Sequence, residues 1–319
     1  MSSTVESVEA LPTTRSLTGV RGWAWATLVF FVVVVLEGAV VRATSSGGGC
    51  GNHWPLCNGE VLPHFRRVAT IIEFLHRSLT GICSTMFAVL IAWTFRATPK
   101  GHPARRASVI SGVLLLLEGA LGAVLVLGGY VEKNTSDARV FVQGVHFTNT
   151  MLLLAAATSV AVLLRSWKPV IVSASVKRAT LATLLSVLLT GAAGSVAALA
   201  DTIFPSSSLK EGIAADFAAT SPLLIRMRWI HPAASLLIVG CTLWLVSLLR
   251  KYGDTRAANL LLANIALQMA IGIADVLMLA PTWIQVLHLL GADLFWISLA
   301  AIATPILFLT KRDAGFHEA

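Results

Sequence analysis

Charge is what this chain has least of: Asp, Glu, Lys and Arg make up 13% of its 319 residues, against roughly 25% in soluble domains. With 56% of residues hydrophobic, that scarcity excludes a soluble globular domain and leaves a membrane protein. Cysteine is scarce too, at four residues. Cys83 and Cys241 fall in apolar runs and read as buried small hydrophobes, so thiol chemistry is confined to Cys50 and Cys57. The acid-poor, Arg-rich character of a transit peptide is missing, since the first twenty residues hold Ser and Thr but also Glu6 and Glu9. Glu-x-x-His occurs once, at Glu73–His76, which excludes a di-iron carboxylate bundle, because that site needs the motif from two helices.

What is abundant is apolar sequence in runs long enough to cross a bilayer, about 20 residues each. They lie at roughly Trp23–Ala43, Ala69–Phe95, Ser108–Tyr130, Phe141–Leu164, Ala179–Ala200, Leu223–Leu249, Ala257–Ala280 and Trp283–Leu309. The expected fold is therefore an all-α membrane protein of eight transmembrane helices. Most of the 24 basic residues fall on one side if the N-terminus is cytoplasmic. An even helix count then puts both termini in the cytoplasm. This topology accounts for the net charge of +8 without nucleic acid, and a bacterial plasma membrane is the expected location.

The most informative stretch runs from Cys50 to Arg77, CGNHWPLCNGEVLPHFRRVATIIEFLHR. Cys50 and Cys57 sit in the first outer loop, on the oxidising side of a bacterial membrane, where a disulfide is plausible. A zinc site from Cys50, His53, Cys57 and His64 is also compatible by residue type, though the spacing is irregular. Glu73 and His76 stand at i and i+3 and so share one helix face. An ionisable pair within an apolar span is costly unless paired, hydrated or bound to something.

Four of the eight histidines lie in apolar helices, one in each even-numbered span: His76, His146, His231 and His288. Each is five to nine residues from the outer end, a depth of roughly 8 to 13 Å at 1.5 Å per residue. The halves echo each other. Glu118 and Gly122 are matched by Gln268 and Gly272, 150 residues later, Gly38 by Gly191 after 153, His76 by His231 after 155 and His146 by His288 after 142. A duplicated four-helix unit is the reading, with one histidine pair per half. Neutral imidazole is an axial ligand of haem iron, and bundle cores are a usual cofactor site. A lone intramembrane histidine serves as well for proton relay or substrate contact, and it is the matched set of four that favours iron.

The CGNHWPLCNG loop, the IIEFLHR helix, the histidine in every even helix and DTIFP opening the third outer loop together resemble the haem A synthase family. The resemblance implies eight helices in two pseudo-symmetric four-helix bundles, each with a bis-histidine haem site. It implies that residues 1–22 form a cytoplasmic tail and 23–164 the first half, with the substrate haem and the Cys pair. Residues 165–178 would then link the halves, 179–310 would hold haem b, and 311–319 would be a second cytoplasmic tail. His76 and His146 would hold substrate haem O, and His231 and His288 the haem b that passes electrons. Glu73 would be the catalytic acid. The implied reaction is oxidation of the C8 methyl of haem O to the formyl group of haem A by successive hydroxylations, for cytochrome c oxidase biogenesis. Haem O synthase, a protohaem farnesyltransferase, would be a partner, and homo-oligomers fit as well. Cys50 and Cys57 resemble a reversible family disulfide, and a purely structural bond fits equally. Arg77 could face a haem propionate or neutralise Glu73.

This sequence departs from the family pattern in lacking a second Cys pair in the third outer loop and in having Pro232 after His231 where Arg77 follows His76. It also carries intramembrane acids, Glu37, Glu118 and Asp275, which fit either local hydrogen bonding or a proton path. Two other classes compete: a dihaem b electron-transfer cytochrome, and a transporter built on internal repeats.

Overall fold

The structure is a computed structural model that describes residues 14–165 and 172–308. The start of the expected tail 1–22, the middle of the expected linker 165–178 and the expected tail 311–319 lie outside the described residues. Among the described residues there are ten helices: α1 (Thr14–Ala43), α2 (Val68–Ala97), α3 (Pro103–Leu127), α4 (Asp137–Leu163), α5 (Ala174–Ile203), α6 (Leu209–Phe217), α7 (Leu223–Arg226), α8 (Ile230–Lys251), α9 (Thr255–Leu277) and α10 (Thr282–Phe308). Eight segments are long and apolar enough to span a membrane, with α7 and α8 together making the sixth.

Local chemistry sets the helix starts. Ser136, Ser173, Ser208 and Asp254 each accept a backbone N–H three residues on, from Arg139, Val176, Glu211 and Ala257, satisfying donors that a helix start leaves open. The sixth span is broken between Arg226 and Ile230, just ahead of His231-Pro232. Proline has no N–H to continue a helix from upstream but is tolerated in a first turn, so α8 starts afresh there.

Helices α1 to α4 pack in a ring in chain order, with α4 closing onto α1, and α5, α8, α9 and α10 form a second such ring. In each ring the two histidine-bearing helices are diagonal partners, α2 with α4 and α8 with α10. The rings meet through α1, α4, α5 and α10. The main apolar core runs through that seam and into both rings, with Leu154 and Leu299 at the seam and Leu245 and Leu261 in the second ring fully buried. Trp296 of α10 donates its indole N–H to the Met151 carbonyl of α4 at 2.7 Å. By contrast, the buried residues of α3 are Ala104, Ala107, Ser108 and Ser111, all in its first turns, so the rest of α3 flanks an interior space.

The loop between α5 and α8 is ordered by α6 and one arginine. Arg228 reaches Asp201 at the end of α5 at 2.9 Å and Asp216 on α6 at 2.7 Å, tying that loop across the end of the second ring.

Candidate functional site

All four intramembrane histidines line one cavity of about 1810 Å³. Pockets for drug-sized ligands run to about 1,000 Å³, so this one has room for two large planar groups. His231 and His288 face each other across the second ring with ring centroids 6.2 Å apart and planes at 82°. A glycine on a neighbouring helix makes room for three of the imidazoles. An added Cβ would fall 3.0 Å from His76 Cε1 at Gly38, 2.8 Å from His231 Cε1 at Gly194 and 2.8 Å from His288 Cε1 at Gly272. Gly191, paired with Gly38 by sequence offset, instead meets Phe147; the glycine serving His231 lies one turn further along α5.

Each imidazole has a partner on the other diagonal of its ring. In the second ring the partners are neutral: His231 Nδ1 stands 3.0 Å from the Thr190 carbonyl of α5, and His288 Nδ1 stands 3.2 Å from the Gln268 side-chain amide of α9. In the first ring they are acids. His76 Nδ1 is 2.6 Å from Glu37 Oε2 of α1, and His146 Nδ1 is 3.6 Å from Glu118 Oε1 of α3. Both contacts are at ion-pair distance without hydrogen-bond alignment of the ring N–H. Glu118 is also fixed by Asn149 Nδ2 at 2.6 Å and by the Thr150 hydroxyl. The intramembrane acids Glu37 and Glu118 thus meet histidines, whereas Asp275 Oδ1 is buried without a hydrogen-bond partner.

At the loop end of α2, Glu73 is buried at 3% exposure. Its Oε2 accepts the backbone N–H of Cys50 at 2.7 Å and its Oε1 accepts Arg77 Nη2 at 2.5 Å. Arg77 Nη1 donates to the carbonyls of His53 and Leu56, each at 2.6 Å. Of the two partners expected for Arg77, the structure shows Glu73, together with the loop backbone. Cys50 and Cys57 are joined by a disulfide, so the zinc set loses both thiolates, and no cluster of three metal-ligating side chains occurs among the described residues. Gly49 packs against the backbone of Ala69 and Thr70 too closely for any Cβ, and its carbonyl accepts the Thr70 hydroxyl at 2.7 Å. Gly49 is therefore the docking point for the start of α2, while Gly47 and Gly48 pack against Val131 and Glu132 of the loop between α3 and α4.

Arg42, in the last turn of α1, is a functional-site neighbour that the sequence alone did not single out. In the structure Arg42 Nη1 donates to the Ala198 carbonyl at 2.6 Å and the Thr202 hydroxyl at 2.7 Å, and Nη2 to Gln285 Oε1 at 2.9 Å. It joins α1 to α5 and α10 across the seam. The available signal was its charge at the end of an apolar span; its partners, more than 150 residues away, left no trace in local pattern.

The model of the cytochrome oxidase assembly protein family, COX15-CtaA, matches residues 21–69 and 64–300 of the chain. A protein named Protoheme IX farnesyltransferase from Thermus thermophilus is 39% identical over 292 residues, 90% of this chain and 48% of its own length. Proteins named Heme A synthase are 34% identical over 144 residues in Geobacillus kaustophilus, 45% of this chain and 43% of that one, and 36% identical over 103 residues in Halalkalibacterium halodurans, 32% and 35%. The chain thus spans about half, or less, of the length of the curated relatives it matches.

Proposed function

This chain belongs to the cytochrome oxidase assembly protein family, and from that membership we propose that it oxidises haem O to haem A, acting on the C8 methyl through successive hydroxylations. The reading is carried by one observation: four histidines line one cavity, and two of them face each other at 6.2 Å. With metal–nitrogen bonds of about 2 Å and a ring centre roughly 1 Å behind each nitrogen, two axial imidazoles put their centroids about 6 Å apart. The glycine cradles at Gly38, Gly194 and Gly272 agree with that use, since bulkier residues would displace the rings.

His76 and His146 would hold the substrate haem, and His231 and His288 a haem b, which when bound supplies electrons to the first site. Glu73 would act at the substrate end of the cavity. Cys50 and Arg77 hold both its oxygens, so it is fixed in place before substrate arrives, and preorganised charge of this kind stabilises developing positive charge without reorganisation. The orientation proposed is that of a bacterial plasma membrane protein with both termini cytoplasmic, supported by the distribution of basic residues.

Two relatives' names favour a second reading, farnesyl transfer to protohaem. Those proteins are about twice as long as the segment this chain matches. The four-imidazole cavity suits iron rather than a diphosphate, which is usually held through carboxylate-bound magnesium. The name fits better as a pointer to a partner, an enzyme that supplies haem O. Expression with and without a haem O source, followed by pigment extraction, tests this. Haem A or hydroxylated haem O supports the oxidation. Haem O made from protohaem and farnesyl diphosphate alone would overturn it in favour of transfer, and haem b alone despite added haem O would leave an electron-transfer cytochrome.

A further inference from the structure

The two rings share a plan and differ in one respect: what stands behind the histidines. In the second ring, the Thr190 carbonyl and the Gln268 amide are within hydrogen-bonding distance of the imidazoles. In the first, Glu37 and Glu118 lie at ion-pair distance from His76 and His146. Gln268 and Glu118 fill matching places on α9 and α3, 150 residues apart. A neutral partner is enough to orient a ring, as the second half demonstrates. An acid in an apolar span is costly, so orientation alone does not account for two of them.

A carboxylate beside the non-bonding nitrogen of a metal-bound imidazole raises the basicity of that ligand. Stronger donation and nearby negative charge both favour the more positive oxidation state of iron, and hydrogen bonding around the ligands is one of the main settings of haem potential. We propose that Glu37 and Glu118 are positioning residues that hold the first-half haem at a lower reduction potential than the second-half haem, so that the second-half iron is reduced first. This rests on the haem-ligating roles proposed above for the four histidines.

The test is a potentiometric dithionite titration of the purified, haem-loaded protein at one pH, followed in the visible spectrum and by the low-spin EPR signals. Two one-electron waves are expected, and His288→Ala should remove the upper one. Glu37→Gln and Glu118→Gln, which keep side-chain shape, should each raise the lower wave by a tenfold change in ferric preference, about 59 mV for one electron, and leave the upper wave in place. The reciprocal Gln268→Glu should lower the upper wave. An unmoved lower wave in both glutamine variants at full haem content overturns the proposal, as does loss of the lower wave in His288→Ala. If the glutamine variants do not load haem, Gln268→Glu decides: a lowered upper wave supports the proposal and an unmoved one overturns it. Wild-type protein without histidine-bound haem in either half would sink the ligand assignment itself, a result distinct from two haems whose potentials ignore the acids.

Discussion

Cys50 donates its backbone N–H to Glu73 across 23 residues of chain, at 2.7 Å. The buried acid of α2 and the disulfide loop are therefore one structural unit, with Arg77 closing it from the other side. Disturbing the loop should be felt at the acid first.

Reducing the Cys50–Cys57 bond, or replacing Cys57 with Ser, should cost about 2–3 kcal/mol of stability, the usual scale for a short disulfide loop. Haem O conversion should fall further than haem content, because Glu73 loses the fixed position of one of its donors. Melting curves with and without reductant, paired with pigment assays, check both parts. Equal losses of pigment and conversion would make the bond a structural brace alone.

Glu73→Gln should keep most of the bound haem and lower conversion by about 10²- to 10⁴-fold, the range for a positioned acid–base group. The side chain keeps its size, but its single amide oxygen can accept from only one of Cys50 and Arg77, so the position of the group is held from one side. Haem content that drops in step with turnover would assign Glu73 to folding.

Removing the guanidinium in Arg42→Ala takes the charged donor from Thr202, from Gln285 and from the Ala198 carbonyl, which keeps only the Thr202 hydroxyl at 2.9 Å as a side-chain donor. A loss of about 2–4 kcal/mol is expected, since hydrogen bonds to charged groups contribute about 1.5–3 kcal/mol each and are not additive. Arg42→Lys should recover little of it, because one ammonium cannot reproduce the planar fork that reaches two helices at once. Thermal unfolding of the three proteins in the same detergent measures the difference.

Gly272→Ala puts a methyl group against His288 and should deplete the second-half haem, while Gly119→Ala, with open space around its added Cβ, should not. His288→Ala should give the same selective loss with the first half still loading. Pigment per protein, read separately for haem b and haem O, distinguishes these outcomes.

The spans and the histidines were legible in sequence because both announce themselves locally. An apolar run defines its own helix, and His76, His146, His231 and His288 stand out as polar residues inside such runs. What was illegible is how helices face one another. Nothing near Glu37 signals that it will meet His76, and Arg77 offered two partners until the loop was placed. The early start of α1 at Thr14 was missed for another reason: its first turns are too polar for an apolar window yet remain helical. The break before α8 had a local signal in Pro232, whose missing N–H favours a fresh helix start just ahead of it.

The seam is built from α1, α4, α5 and α10, whereas α2 and α8 pack chiefly against neighbours within their own rings. Each histidine pair therefore joins a trunk helix to a rim helix. A guest gripped between them would act as a rivet through the wall, adding a diagonal tie to a ring whose helices otherwise hold mainly their neighbours.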